Sequence, residues 1–419
     1  MKTSQLAEGL KGSEIIKIAG EVNALKAKGE VIFNQTIGDF DPGIFPIPGE
    51  LKQAIVDAYN DNQTNYPAAD GVAALRKSVS KYLSEHLGLD FATNEILVSG
   101  GARPLIYAIY QTILDIDDTV LYPVPSWNND AYTYLVRNKA VVVETKPENE
   151  FMPTVADIKP HIKNVNLIAL CSPLNPTGTT FDRETLFEIS QLVVAENISR
   201  ASQNQKPLYV LYDQIYWQLT YGTIAHFNPV SLLPEMRDYT IFVDGISKAF
   251  AATGVRVGWA FGPQHVINKM KALLGHIGAW APKAEQVATA SFLDQPGAVS
   301  KYLKNIKEAL HDRLVAFYDG FESLKNAGFP VSAIRPQAAL YLTVQFDLIG
   351  KTTAEGKKLN SIQEVTSYLL HEAKLAVVPF YAFGASADSN WFRLSVGTAR
   401  SEEIATIFEL LEDALQKLK

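Results

Sequence analysis

Between residues 94 and 262 short apolar runs recur with polar or helix-length stretches between them. They fall at Glu95–Ser99, Thr119–Tyr122, Ala140–Glu144, Asn166–Leu170, Leu208–Tyr212, Thr240–Val243 and Val257–Phe261. Most lack polar alternation, as strands buried on both faces do. Most connecting segments have room for a helix, for example Pro104–Leu114 and Arg183–Ala195. Strands alternating with helices predict an α/β domain with a largely parallel sheet. The short length of the runs and their Val and Ile content argue against a helical protein with apolar patches.

After Pro282 the pattern changes. A helical stretch through Val287–Leu293 breaks near Gln295-Pro296-Gly297 and resumes at Val299–Leu324. Strand-like runs follow at Leu340–Phe346, Leu375–Pro379 and Phe392–Val396, and a terminal helix is expected over Glu402–Leu418. This reads as a smaller α+β domain. The expected division is 1–50 as an N-terminal arm and part of the small domain, 51–300 as the large domain, and 301–419 as the rest of the small one. There is no internal repeat, and Lys351–Asn360 reads as a polar surface loop.

The 419 residues exceed what one core usually holds, in keeping with two domains. A hydrophobic share of 47% with 20% charged residues is a globular balance and excludes disorder of the whole chain. The net charge of -7 argues against a nucleic-acid surface. A single cysteine, Cys171, allows no intrachain disulfide and suits a reducing compartment. The first thirty residues lack a signal peptide's apolar core, and their alternating charges suit an amphipathic helix. No stretch approaches the roughly 18 apolar residues of a membrane span. The expectation is a cytoplasmic enzyme without membrane or nucleic-acid partners.

The segment Asp244-Gly-Ile-Ser-Lys-Ala-Phe-Ala-Ala-Thr-Gly-Val-Arg-Val-Gly-Trp259 follows one predicted strand and ends in another. A lysine at the mouth of a sheet forms an imine with an aldehyde when burial and nearby positive charge lower its pKa. Arg256 follows Lys248 by eight positions, with Gly254 and Gly258 beside it. Glycine lets a backbone approach closely, and arginine suits a bidentate phosphate contact. Lysine plus a phosphate-binding arginine is what pyridoxal phosphate (PLP) needs. The plainer reading is two surface cations in a loop.

Ser247-Lys248-Ala-Phe250 with Gly254-Val-Arg256-Val-Gly258 resembles the lysine signature of the class I/II aminotransferases, the fold-type I PLP enzymes, in their aspartate-aminotransferase-like form. The resemblance covers nearly the whole chain, with several motifs in family order. It implies a mostly parallel seven-stranded sheet with helices on both faces, a smaller α+β domain, and PLP held by Lys248 as a Schiff base. Ser172-Pro173-Leu174-Asn175-Pro176-Thr177-Gly178 is similar to the family's N-P-T-G turn, which gives Asn175 a bond to the cofactor's phenolic oxygen. By itself the motif is only a turn signal. In Tyr212-Asp213-Gln214-Ile215-Tyr216, the resemblance pairs Asp213 with the pyridine nitrogen and Tyr216 with the phenolic oxygen. Without the other motifs Asp213 reads as a helix N-cap.

Ser99-Gly100-Gly101-Ala102-Arg103-Pro104 matches the family's phosphate turn, which assigns main-chain donors of Gly101, Ala102 and Arg103. Trp127 in Pro123-Val-Pro-Ser-Trp127 takes the place of the ring-stacking aromatic, and is otherwise a buried anchor. Phe392-Arg393-Leu394-Ser395 resembles the motif whose arginine grips the substrate α-carboxylate. Ile37-Gly38-Asp39-Phe40-Asp41 is similar to the I-G-x-P-D loop, with phenylalanine where proline is usual; Gly38 contacts the carboxylate through its backbone. Tyr66 with Gly71 and Leu75-Arg76 fits the pattern whose tyrosine reaches the partner subunit's phosphate, which implies a homodimer with shared sites. Two departures stand out. Gly245 replaces a serine that many relatives bind to the phosphate, and the Asn175 to Asp213 gap is long, with the polar run Glu196–Lys206 expected as surface insertion.

The implied reaction is transamination. An L-amino acid displaces Lys248, the freed lysine moves the α-proton, and a 2-oxo acid leaves. No His-Glu-x-x-His or Cys/His cluster exists to bind a metal. Arg103 falls where one acidic-substrate branch carries a lysine, and His276 where another carries an arginine, with Trp280 nearby. The expectation is an aspartate or glutamate donor with 2-oxoglutarate as acceptor. The alternatives are neutral or aromatic donors, another PLP reaction such as a C–S lyase, and, remotely, a non-catalytic sensor domain.

Overall fold

The computed structural model describes residues 3–10, 12 and 14–419. Every apolar run between residues 94 and 262 forms a strand. In chain order the strands are β1 (Phe33–Asn34), β2 (Ile96–Ser99), β3 (Thr119–Val124), β4 (Lys139–Glu144), β5 (Leu167–Cys171), β6 (Tyr209–Asp213) and β7 (Thr240–Gly245). They continue with β8 (Gly258–Phe261), β9 (Val331–Ala333), β10 (Tyr341–Phe346), β11 (Leu375–Ala376), β12 (Val378–Pro379) and β13 (Trp391–Ser395).

The large sheet has seven strands in the order β2-β8-β7-β6-β5-β3-β4. Strand β8 runs antiparallel to both its neighbours, and the remaining pairs are parallel. Period-two alternation divides the strand residues between two cores. Leu97, Val120, Leu211 and Val243 pack with Leu105 and Ile109 of the helix Ala102–Ile113. Val98, Leu121, Val210 and Phe242 pack with Leu186 and Val193 of the helix Arg183–Ser202. Each such fully buried Leu, Val or Phe contributes about 1.5–3 kcal/mol, which explains why most of the runs lack polar alternation; β4, at the sheet's edge, is mostly exposed. Parallel strands expose their carboxyl ends along one edge, where α/β sheets bind ligands. Asp213 ends β6 there, and Gly245, at the end of β7, leads directly into the short helix Ile246–Ala249 that carries Lys248.

The helix Lys283–Leu293 stops before Gln295, and Pro296 starts a helix that runs unbroken to Asn326. The expected boundary at residue 300 therefore lies within a continuous helix. A second sheet, ordered β12-β13-β10-β9, is antiparallel. The apolar run Leu375–Pro379 is divided at Val377, because β11 pairs with β1 whereas β12 pairs with β13. The parallel β1–β11 pair joins the N-terminal segment to the C-terminal third. The helix Glu14–Ala27 adds to this union by burying Val22 and Leu25 with Leu370 and Ala376.

The run Glu196–Lys206 is not a surface insertion throughout. Its first half continues the helix to Ser202, with Asn197 and Arg200 buried. Arg200 pairs with Glu196 at 2.8 Å and donates to the carbonyls of Ile162 and Val165. Asn197 exchanges two hydrogen bonds with Leu208, just before β6. These polar residues are interior because unpaired backbone groups there need partners. The loop Lys351–Asn360 is mostly exposed, although Thr353 and Leu359 are buried in it. Among the described residues no helix is long and apolar enough to cross a membrane.

Candidate active site

Lys248 is half-buried, and its Nζ donates to the carbonyl of Gly38 at 2.7 Å. Burial is the main cause that brings its pKa down to about 8, and the guanidiniums of Arg393, Arg103 and Arg256 push the same way. Asp39 opposes them. The neutral, nucleophilic amine is thus far more accessible near physiological pH than in an ordinary lysine, although the charged form still predominates below pH 8. Asp39 also accepts from Thr253 at 2.7 Å, which ties the Ile37–Asp41 loop to the segment between Lys248 and Arg256.

Asp213 sits at the carboxyl end of β6 and accepts from the N–H of Ile215. Burial lifts its pKa to about 6, while that hydrogen bond and the charge of Lys248 work against the rise. No ion pair involves it among the described residues, which leaves its second carboxylate oxygen open to a donor. The next turn carries Tyr216, whose hydroxyl bonds to that of Tyr341 at 2.8 Å, and whose ring lies 5.8 Å from Lys248 Nζ.

Arg256 has left-handed backbone, φ 62°, a conformation uncommon outside glycine. Its guanidinium donates to the carbonyls of Gly100 (2.8 Å) and Thr253. It lies so close to Gly101, φ 99°, that a Cβ there would collide with it. Gly101 caps the helix Ala102–Ile113 without any side-chain acceptor, so the first N–H groups of that helix stand beside a guanidinium. Unclaimed amides at a helix start and a cation form an anion cradle. Behind it, a Cβ on Gly258 would come within 2.7 Å of the Gly101 backbone, and one on Gly245 within 2.8 Å of Gly258 Cα. A serine at position 245 has no room here, and this close backbone approach accounts for Gly245. Ser247 is buried one position before the lysine.

Arg393 is 1% exposed. Its Nη1 donates to Asn175 Oδ1 at 3.0 Å and its Nη2 to the Thr36 carbonyl at 2.6 Å, while Nε has no partner. A buried guanidinium with a free N–H is a ready carboxylate site. Gly38 borders it: a Cβ there would meet the Tyr341 hydroxyl at 2.9 Å and Arg393 Nη1 at 3.3 Å. Arg103 lies 5.2 Å over the ring of Trp127, which also contacts Phe383. Tyr66 is 81% exposed and meets Trp280 edge-on, with centroids 5.2 Å apart. His276 is exposed on the last turn of the helix Gln264–Ile277 and joins none of these contacts.

Tyr341, Thr36, Asp39, Thr253 and Phe383 escaped the sequence reading. Tyr341 lies inside the predicted strand Leu340–Phe346, which made it one more apolar residue, and only the fold sets it against Tyr216, 125 positions away. Among the described residues no cluster of His, Cys, Asp and Glu suits a metal.

A lysine with a lowered pKa, a buried carboxylate with no ion-pair partner and an anion cradle at one edge of the large sheet, with a buried arginine facing them from β13 of the smaller sheet, fit PLP with an amino-acid substrate. Comparison with known sequences agrees. The profile of aminotransferase class I and II matches residues 34–410, and the chain belongs to this family. It is a PLP-dependent transaminase. It is 28% identical to the aspartate aminotransferase of Bacillus subtilis (strain 168), over 100% of this chain and 98% of that one. The crystal structure of the aspartate aminotransferase from Rhizobium meliloti superposes with a TM-score of 0.90 at 26% identity, covering 100% of both chains. The Thermus thermophilus aspartate aminotransferase with maleate gives 0.86 at 26% identity, covering 99% of this chain and 100% of that one.

Proposed function

We propose that the amino donor is aspartate or glutamate and the acceptor 2-oxoglutarate. The observation that carries this reading is that two guanidiniums near Lys248 have no carboxylate partner among the described residues: Arg393, whose buried Nε is unpaired, and Arg103, which rests on the Trp127 ring. A dicarboxylic substrate has two anionic ends, and an unpaired desolvated carboxylate is costly. The relatives named above are aspartate aminotransferases, one of them solved with a dicarboxylate.

The residue roles belong to the same proposal. PLP, when bound, supplies an aldehyde that exchanges between lysine and substrate amine and a ring that withdraws electrons from the α-carbon. Arg256 and the N–H groups of Ala102 and Arg103 hold its phosphate, with Ser247 alongside, whereas the Gly101 N–H expected to join them is taken by the Ser99 carbonyl at 2.7 Å. Asp213 keeps the ring nitrogen protonated, Asn175 and Tyr216 serve the phenolic oxygen, and Trp127 flanks the ring. Arg393 and the Gly38 backbone orient the α-carboxylate. Lys248, as the free amine, takes the α-proton. Tyr66 reaches the phosphate of a second copy, so the working unit is a homodimer built from a large domain (51–300) and a small one (1–50 with 301–419).

The edge-on pair of Tyr66 and Trp280 favours a second reading, with neutral or aromatic donors. An amino-donor screen with 2-oxoglutarate decides between them. Aspartate and glutamate are expected to lead, and turnover of phenylalanine without aspartate would overturn the acidic reading. For the dimer, hybrids of Lys248→Ala and Tyr66→Phe chains are expected to recover activity, whereas a fully active monomer by light scattering would contradict shared sites.

A further inference from the structure

Asp244 is a second buried carboxylate at the same edge of the sheet, 1% exposed, and none of the proposed roles uses it. The β6–β7 register sets Asp213 opposite Val243. Alternation therefore puts the Asp244 side chain on the other face of the sheet. There it is met by donors. The Gly245 N–H donates to Oδ1 at 2.7 Å and Trp217 Nε1 donates to Oδ2 at 2.8 Å, with the Gln214 amide alongside. No Lys or Arg forms an ion pair with it among the described residues.

The groups around it come from four elements. Asp213 and Gln214 flank it from β6 and the turn beyond, and Trp259 is its register partner on β8. Tyr82, from the helix Ala73–Leu87, feels its charge. His86 and His226 pack on the Trp217 ring, and burial holds His226 down at about 3, so it supplies no cation. An acid kept in such surroundings costs stability unless its hydrogen bonds do something else.

The Gly245 bond fixes the carboxylate within its own segment, and the Trp217 bond joins that segment to another. Gly245 caps the short helix that carries Lys248, and Trp217 directly follows Tyr216 in the turn after Asp213. We propose that Asp244 is a positioning residue that braces the Asp213–Trp217 turn against the Lys248 segment, fixing the lysine relative to the carboxylate that serves the ring nitrogen. This rests on the cofactor roles given above to Lys248 and Asp213, but not on the choice of amino donor. Even when protonated, the Asp244 carboxyl keeps a lone pair on each oxygen and can accept from both donors, whereas an asparagine at 244 turns an NH2 that cannot accept toward Trp217 Nε1 or the Gly245 N–H and breaks one half of the brace. Removing the indole N–H relieves that conflict.

The test uses Asp244→Asn, Trp217→Phe and the double variant as full-length proteins. In the cofactor-free chain the Lys248 amine titration is followed by NMR of its Nζ. In the holoenzyme kcat and KM are measured with the best donor. Asp244→Asn is expected to move the lysine midpoint upward from about 8 as its packing loosens. It is also expected to lower kcat by about tenfold or more with little change in KM. The double variant, which also lacks the brace, is expected to fall no further than the single variants. A change in thermal stability alone, with lysine midpoint and kcat at wild-type values, would overturn the proposal. If Asp244→Asn fails to fold, Trp217→Phe carries the test, and the same unchanged readouts in that variant would overturn it. The lysine titration involves no amino donor, so its outcome is separable from the substrate assignment.

Discussion

The Gly38 carbonyl accepts the Lys248 amine across 210 positions of sequence, at 2.7 Å. An N-terminal loop thereby fixes the reactive nitrogen of a residue carried by the large sheet. The same glycine leaves room for Tyr341 and Arg393, which a Cβ would press at 2.9 and 3.3 Å. Gly38→Ala is expected to displace the guanidinium or the tyrosine by a few tenths of an ångström or more. Misplacement of orienting groups costs up to about 100-fold, so kcat/KM should fall by roughly 10- to 100-fold with the fold intact. Circular dichroism and steady-state kinetics together check this.

Arg393→Lys keeps the charge but loses the planar fork that Asn175 and the Thr36 carbonyl now orient. One charge-assisted hydrogen bond is worth about 1.5–3 kcal/mol, which corresponds to about a 10- to 150-fold drop in kcat/KM. The drop should be similar for every amino acid, because all share the α-carboxylate. A loss confined to aspartate and glutamate would move Arg393 to the side-chain end of the substrate.

Arg103→Ala tests that distal end. Arg103 is placed by the Trp127 ring rather than by an ion pair, so its charge is available to a ligand. The KM for aspartate is expected to rise by about tenfold or more, as removal of a charge partner implies, with the KM for phenylalanine nearly unchanged. Equal effects on both substrates would remove Arg103 from substrate recognition.

Asp244 predicts a pH signature in the cofactor-free chain. Burial, aided by the charge of Asp213, raises its pKa to about 8, while its hydrogen bonds pull the other way. The folded state then binds a proton that the unfolded state releases near pH 4. The stability contributed by that proton is fully present below about pH 4 and is lost as pH rises to about 8. Relative to Asp244→Asn, wild-type thermal midpoints should therefore decline across this window and level off above it. Parallel curves for the two proteins would contradict a raised Asp244.

The large sheet was legible because strands buried on both faces cannot hide polar residues, and all of its runs formed strands within a few residues of the expected limits. The short strands Phe33–Asn34 and Val331–Ala333 were not legible, since two or three residues hold no period. Arg200 and Asn197 were misread as surface residues because their partners are backbone carbonyls and amides, which leave no mark in side-chain patterns. Lys248, Asp213, Asn175 and Arg393 stood out through motifs. Tyr341 did not, because a tyrosine that opens a strand is ordinary until the fold faces it with Tyr216. The direction of Arg103 likewise depends on Trp127, 24 positions away in sequence.

In the roles proposed above, Lys248 and no other lysine carries the cofactor. Reduction of the holoenzyme with borohydride, followed by proteolysis and mass spectrometry, identifies the lysine. One pyridoxyl-phosphate adduct is expected, on the peptide containing Lys248, and none in Lys248→Ala. An adduct on a different lysine, or an unmodified Lys248 peptide from active enzyme, would contradict it.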